Sequence, residues 1–301
     1  MKKYFILAAA AITLVACNVE ELKTSDVQEN GTISLSASIN SADDATRAKS
    51  TDALQNQLFV SGKTIFVEAY ETGVSTPYTS GTYTTGEAGA LTGGLYYPAN
   101  NGAIDICAYY PSTITKSSTS FAVQTNQASE ANYQASDLMY ATKLTEKSSG
   151  TTHDLTFNHA LTKIVVNISL HASITNENLT THPTVTAVAI NSTKPNATLS
   201  ITNGAITISG VTGDVADISI MGTGLDNMGI IVPQTVAANA DFITISYNSA
   251  EYTYKLPEAK TFAAGKVYTY ELTLTARGLE LQATTITNWD PQTGGSHGIT
   301  I

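Results

Sequence analysis

The chain has 301 residues, 42% apolar and 13% charged, and a formal net charge of −10. Such a length suits one large domain or two ordinary ones. Arg47 and Arg277 are the only arginines, so the clustered cations that nucleic-acid phosphates demand are missing and nucleic acid is not an expected partner.

Reading from the start, Met1-Lys2-Lys3 precedes an apolar run from Tyr4 to Val15 that ends in Leu14-Val15-Ala16-Cys17. A basic head, a short apolar stretch and small residues before a cysteine form an export signal. The run is shorter than the roughly 20 apolar residues of a spanning helix. The Leu-Val-Ala-Cys box resembles that of bacterial lipoproteins, which implies removal of residues 1–16 and acylation of Cys17, a palmitate-type membrane anchor. Cleavage there would leave 285 of the 301 residues and, with Lys2 and Lys3 gone, shift the charge from −10 to −12. Residues 17–30 then read as a tether. Its Glu20-Glu21 pair resembles the acidic surface-export signal of Bacteroidales lipoproteins and equally suits a solvated linker. With Cys17 acylated, Cys107 has no intrachain disulfide partner, and its strand-like surroundings point to a packed structural thiol.

Beyond the tether the apolar period is two. Residues 32–39 set Ile33, Leu35, Ala37 and Ile39 on one face and Ser34, Ser36 and Ser38 on the other, a half-buried strand. Residues 40–50 carry acids, small polar residues and Arg47 without an apolar pattern, and so predict an exposed loop of the kind proteases cut. Alternation recurs at Ile65/Val67/Ala69, Ile104/Ile106/Ala108/Tyr110, Ile164/Val166/Ile168/Leu170, Tyr252/Tyr254/Leu256 and Tyr268/Tyr270/Leu272/Leu274. Asn203-Gly204, between Leu199/Ile201 and Ile206/Ile208, predicts a tight hairpin, because both central residues accept positive φ. Helical signal is confined to short turns within Thr51–Leu58 and Gln127–Tyr140. Many short strands between Gly, Ser, Asn and Pro argue for an all-β chain of two tandem β-sandwich domains, each of roughly 100 residues. The polar stretch His171–His182 is the expected boundary, giving domains 31–175 and 176–301.

Several motifs in order carry a family resemblance: the box at Cys17, Asp43-Asp44-Ala45-Thr46-Arg47, Tyr97-Pro98, Tyr110-Pro111, and Asp137-Leu138-Met139-Tyr140-Ala141. After them come Leu155-Thr156-Phe157-Asn158-His159-Ala160-Leu161, Ala264-Gly265-Lys266-Val267-Tyr268 and Ile286-Thr287-Asn288-Trp289. Together they resemble the fimbrillin family of Bacteroidales, lipoprotein-derived subunits of protease-matured (type V) pili. The resemblance implies two transthyretin-like β-sandwiches, an outer-membrane lipoprotein precursor and display in a cell-surface fimbrium. It also implies cleavage between Arg47 and Ala48 by an arginine-specific protease, followed by polymerisation with other fimbrillin subunits. Cutting there would sever Ile33, Leu35, Ala37 and Ile39 from their domain and leave unpaired backbone and empty pockets for another subunit's strand. A donor tail would draw on Ile299 and Ile301, the only alternating apolar pair after Trp289. Its weakness suits a tip or accessory subunit at least as well as a stalk.

Catalytic signals are weak, and an enzyme is not expected. His153, His159, His171, His182 and His297 show neither helical i,i+4 pairing nor dense Cys/His spacing, so no metal or other cofactor is expected. His153-Asp154 with His159 flanks a strand start and reads as structural. Gly222 to Gly229 lacks the spacing and the Lys-Ser/Thr of a phosphate loop. Asp105 and Glu271 lie on strands with nothing to single them out. Two function classes remain. One is an adhesive pilus subunit working by strand exchange; the other is a permanently tethered surface lipoprotein binding host glycan or protein through loops such as Tyr78–Tyr83 and Leu95–Asn101.

Overall fold

The computed structural model describes residues 31–40, 58–100, 102–145, 151–174, 183–222, 224–289 and 299–300. Cys17, Arg47, Ala48 and Ile301 lie outside these residues, as do the signal and tether segments, His182, His297 and Thr51–Gln57.

The first body contains β1 (Ser34–Ile39), β2 (Thr64–Glu71), β3 (Thr79–Thr85), β4 (Ala90–Thr92) and β5 (Ile104–Tyr110). Then come β6 (Ser120–Ala122), the helix α1 (Glu130–Ala135), β7 (Met139–Thr145) and β8 (Thr152–His159). Except for β6, these strands close on themselves in the order β1-β4-β3-β2-β5-β7-β8. Ile33, Leu35, Ile65, Val67, Ile104, Ile106, Leu155 and Phe157 meet inside as one apolar core. Their alternation with polar neighbours is what a pleated strand with one buried face requires. Helix α1 is brief; Ser129 caps it by accepting from the Asn132 amide.

The second body begins with β9 (Thr162–Leu170), β10 (Val185–Thr193), β11 (Asn196–Thr202), β12 (Ala205–Thr212), β13 (Ala216–Ser219), β14 (Met221–Gly222) and β15 (Asp226–Ile231). It continues through β16 (Gln234–Val236), β17 (Asp241–Tyr247), β18 (Ala250–Lys255), β19 (Lys260–Phe262), β20 (Lys266–Thr275), β21 (Gly278–Asn288) and β22 (Ile299–Thr300). One sheet runs β13-β10-β17-β18 and another β14-β15-β9-β20-β21-β22, with β16 and β19 paired separately. Ile190, Ile243 and Ile245 from the first sheet share a core with Ile164, Val166, Tyr270 and Leu272 from the second. Two apolar faces packed over one core make a β-sandwich.

Strand β9 lies within the expected first domain, yet it pairs parallel with β20 and antiparallel with β15. The chain therefore enters the second body at Leu161, and the polar stretch His171–His182 joins two strands of that body, β9 and β10.

The two bodies interlock. The hairpin β11-β12 turns at Asn203 (φ 50) and Gly204 (φ 82), the positive-φ pair that the Asn-Gly dipeptide predicts. It extends to β6, which pairs with β11, and its turn rests on the outer face of β5 and β7. A Cβ on Gly204 would overlap Cys107 Sγ and the Thr142 methyl. Cys107 is accordingly buried, and burial, ahead of the nearby Glu68, pushes its thiol up to about 11. It stays protonated as a packing group.

Candidate functional site

Strand β1 enters the barrel as a single insert between two edges. It runs parallel to β8, from Ser34 opposite Thr152 to Ile39 opposite Phe157, and antiparallel to β4, with Leu35 opposite Leu91. Its ends are fastened by main-chain bonds: Ile33 N–H to Leu95 O at 2.8 Å, Tyr97 N–H to Gly31 O at 3.1 Å, and Asn40 N–H to Phe157 O at 2.8 Å. The Tyr83 hydroxyl adds a bond of 3.2 Å to the Ile33 carbonyl.

Inward, the predicted face is borne out. Ile33 is 1% exposed, and Leu35, Ala37 and Ile39 are each 3% exposed. Burying the three large side chains contributes roughly 5–9 kcal/mol of gross transfer energy. Gly89 (φ 79) closes the slot beside Ala37, where a Cβ would run into the Ala37 carbonyl oxygen. Outward, Ser36 Oγ donates to Asp154, Ser38 Oγ lies 3.5 Å from Thr156 Oγ1, and Asn40 Nδ2 donates to Asn158 Oδ1 at 3.1 Å. At the N-terminal end of the slot, His153 Nε2 and the Tyr97 hydroxyl are hydrogen-bonded at 2.6 Å. Burial, then Lys143, lowers the His153 pKa from its ordinary value, with Asp154 acting in the opposite sense. The Tyr83 hydroxyl is raised by burial, against a main-chain bond from Leu95.

The motifs that were separate in sequence converge at the junction of the two bodies. Asp137 Oδ1 and His159 Nδ1 lie 2.8 Å apart with both side chains fully buried, and Trp289 stacks on the His159 ring at 3.9 Å between centroids and 8° between planes. Main-chain bonds tie Ala160 to Leu138, Gly265 to Leu161, and Trp289 to Gly265. Chain spacing alone does not reveal this meeting; the shared feature was only that each motif sits at a strand end.

Other candidates separate. His171 Nδ1 faces the Ser173 hydroxyl at 2.9 Å within one turn. Glu271 accepts from Asn167 Nδ2 at 2.6 Å, on a sheet that does not contain the Asp105 strand. The Gly222 and Gly229 positions bracket the β14-β15 hairpin. Among the described residues no three His, Cys, Asp or Glu side chains group as metal ligands. Of the tail, the main chain at Ile299 pairs with Ile286 of β21.

The profile of the fimbrillin-like family matches residues 45–289. No curated protein sequence matches the chain. Among solved structures, a candidate cell adhesion protein from Bacteroides uniformis superposes with a TM-score of 0.61 at 20% identity, over 86% of this chain and 98% of its own. Another such candidate, from Bacteroides ovatus, gives 0.62 at 16% identity over 87% and 99%. The C-terminally truncated tip fimbrial protein Mfa3 from Porphyromonas gingivalis gives 0.50 at 9% identity over 86% and 100%. At these identities the likeness is one of fold.

Proposed function

The chain belongs to the fimbrillin-like family, and on that premise we propose that it is a structural, adhesive subunit of a surface fimbrium whose chemistry is strand exchange at the β1 slot. Export proceeds as an outer-membrane lipoprotein tethered through Cys17. An arginine-specific protease then cuts between Arg47 and Ala48, freeing the rest of the chain from both tether and β1. A strand from another fimbrillin subunit takes the vacated place.

The observation that carries this reading is the seating of β1. Among the described residues it alone joins β8 to β4, so its departure opens two main-chain edges and empties the places of Ile33, Leu35, Ala37 and Ile39 together. Exposed edges of this kind recruit a strand. The tip structure among the fold relatives suits the acceptor role, since a tip subunit accepts without needing to donate.

Treatment of the full-length protein with an arginine-specific protease tests this. The expected result is a cut after Arg47, followed by oligomers on mixing with a companion subunit. Arg277, on the turn between β20 and β21, is distinguishable by fragment mass. A clean cut with no assembly would remove strand exchange and favour the other reading, an uncut surface lipoprotein that stays tethered and binds host glycan or protein; normal maturation of Arg47→Ala would remove the cleavage assignment.

A further inference from the structure

Resting on the strand-exchange reading above, we propose that the β8 edge selects the incoming strand by its outward side chains. It admits a strand parallel to β8 with hydroxyl or amide donors facing out, and it discriminates against a carboxylate opposite Asp154. The occupant is an extended segment of another subunit that repeats the inward order of β1: large, large, small, large.

Main-chain bonding along an added strand is blind to sequence, so specificity must come from side chains. The inward face supplies part of it. A slip of one residue would turn every apolar group outward, but a slip of two keeps the apolar face inside. What opposes the two-residue slip is Ala37, the one small residue of the buried face, 3% exposed: the slip would set Leu35 in its place, and extra methylenes overpack a closed core. The outward face supplies the rest. Ser36 and Ser38 stand directly opposite Asp154 and Thr156 in the parallel register, and both pairs meet through their side-chain oxygens. A slip of two would carry one serine into another's position and leave those pairs intact. The amide pair Asn40–Asn158 has no such substitute and would be lost. Asp154 is exposed and contributes the one formal charge of the row, so it sets the electrostatic preference of the edge for donors or cations over acids.

The test uses the full chain cut with an arginine-specific protease and fluorescein-labelled ten-residue peptides of the Gly31–Asn40 sequence, read by anisotropy. The parent peptide is expected to bind and a scrambled one to fail. A Ser36→Asp peptide should bind roughly fivefold more weakly, and a Ser36→Lys peptide more tightly than the parent. Both differences should shrink in 0.5 M salt, by screening, and in an Asp154→Asn protein. An Ala37→Leu peptide should lose roughly tenfold or more. Equal binding of the Ser36→Asp, Ser36→Lys and parent peptides would overturn selection by β8 while leaving strand exchange standing. Charge effects that persist undiminished with Asp154→Asn would also overturn it. Failure of the parent peptide to bind would overturn the exchange reading itself, and the inference with it.

Discussion

Asp137, His159 and Trp289 show how single residues hold the joint between the bodies. A carboxylate at 0% side-chain exposure is costly unless paired, and His159 supplies the partner at 2.8 Å. Trp289, 3% exposed, covers the imidazole face. Trp289→Ala removes that cover and opens a cavity, so it should cost about 3–5 kcal/mol in urea unfolding; Trp289→Phe, which preserves a stacked ring, should cost clearly less. His153 behaves differently because its pKa is lowered by burial. On acidification the unfolded chain takes up the proton before the folded one does. Stability contributed by neutral His153 is therefore complete above about pH 6.5 and is lost between there and the lower folded value, with no further loss from this group below it. Between pH 7.5 and pH 5, the protection factors of the β1 amides, taken against the intrinsic exchange rate at each pH, should fall more in the native protein than in His153→Gln. An identical fall in the two would exclude His153 as the source.

Among elements, the long alternating runs were legible: those at Ile33, Ile65, Ile104, Ile164, Tyr252 and Tyr268 become β1, β2, β5, β9, β18 and β20. So was the Asn203-Gly204 hairpin, since its turn chemistry is local. Strands β6, β16 and β19 are three residues each and exist only because distant partners pair with them, which leaves no periodic trace. The slot was half legible for the same reason. Inward burial follows from alternation within β1, whereas its outer partners on β8 lie 118 residues away in a parallel pairing that no local signal announces. The hairpin also has a packing role that its sequence conceals, because its turn is pressed against β5 and β7. Gly204→Ala combines positive φ with overlap against Cys107 and Thr142, so it should destabilise by about 2–3 kcal/mol. Pairing it with Cys107→Ala, which frees space, should recover part of the loss; a purely additive double mutant would confine the effect to backbone strain.

At the scale of the molecule, the question is whether two cores behave as one cooperative unit. Gln127 is 0% exposed; its Nε2 donates to Ile230 O at 2.7 Å and its Oε1 accepts from Ile230 N–H at 2.8 Å. One side chain thus occupies both main-chain groups of a strand in the other body, as a neighbouring strand would. The Asn126–Ser219 bridge adjoins it, β6 pairs with β11, and Trp289 lies across the far end of the joint. A joint made of buried polar pairs and interleaved strands couples the two cores more specifically than a bare apolar contact. Removing the Gln127 amide while the joint stays closed would leave the Ile230 amide and carbonyl without these partners, a penalty of about 1–3 kcal/mol per group. Calorimetry of the chain should therefore show a single unfolding transition. Gln127→Leu, close in size but unable to bond, should lower that transition and cost about 2–4 kcal/mol, while leaving the β1 slot able to take its peptide. Two resolved transitions in the unmutated chain would mean that the bodies unfold independently and that the clasp contributes alignment, not cooperativity.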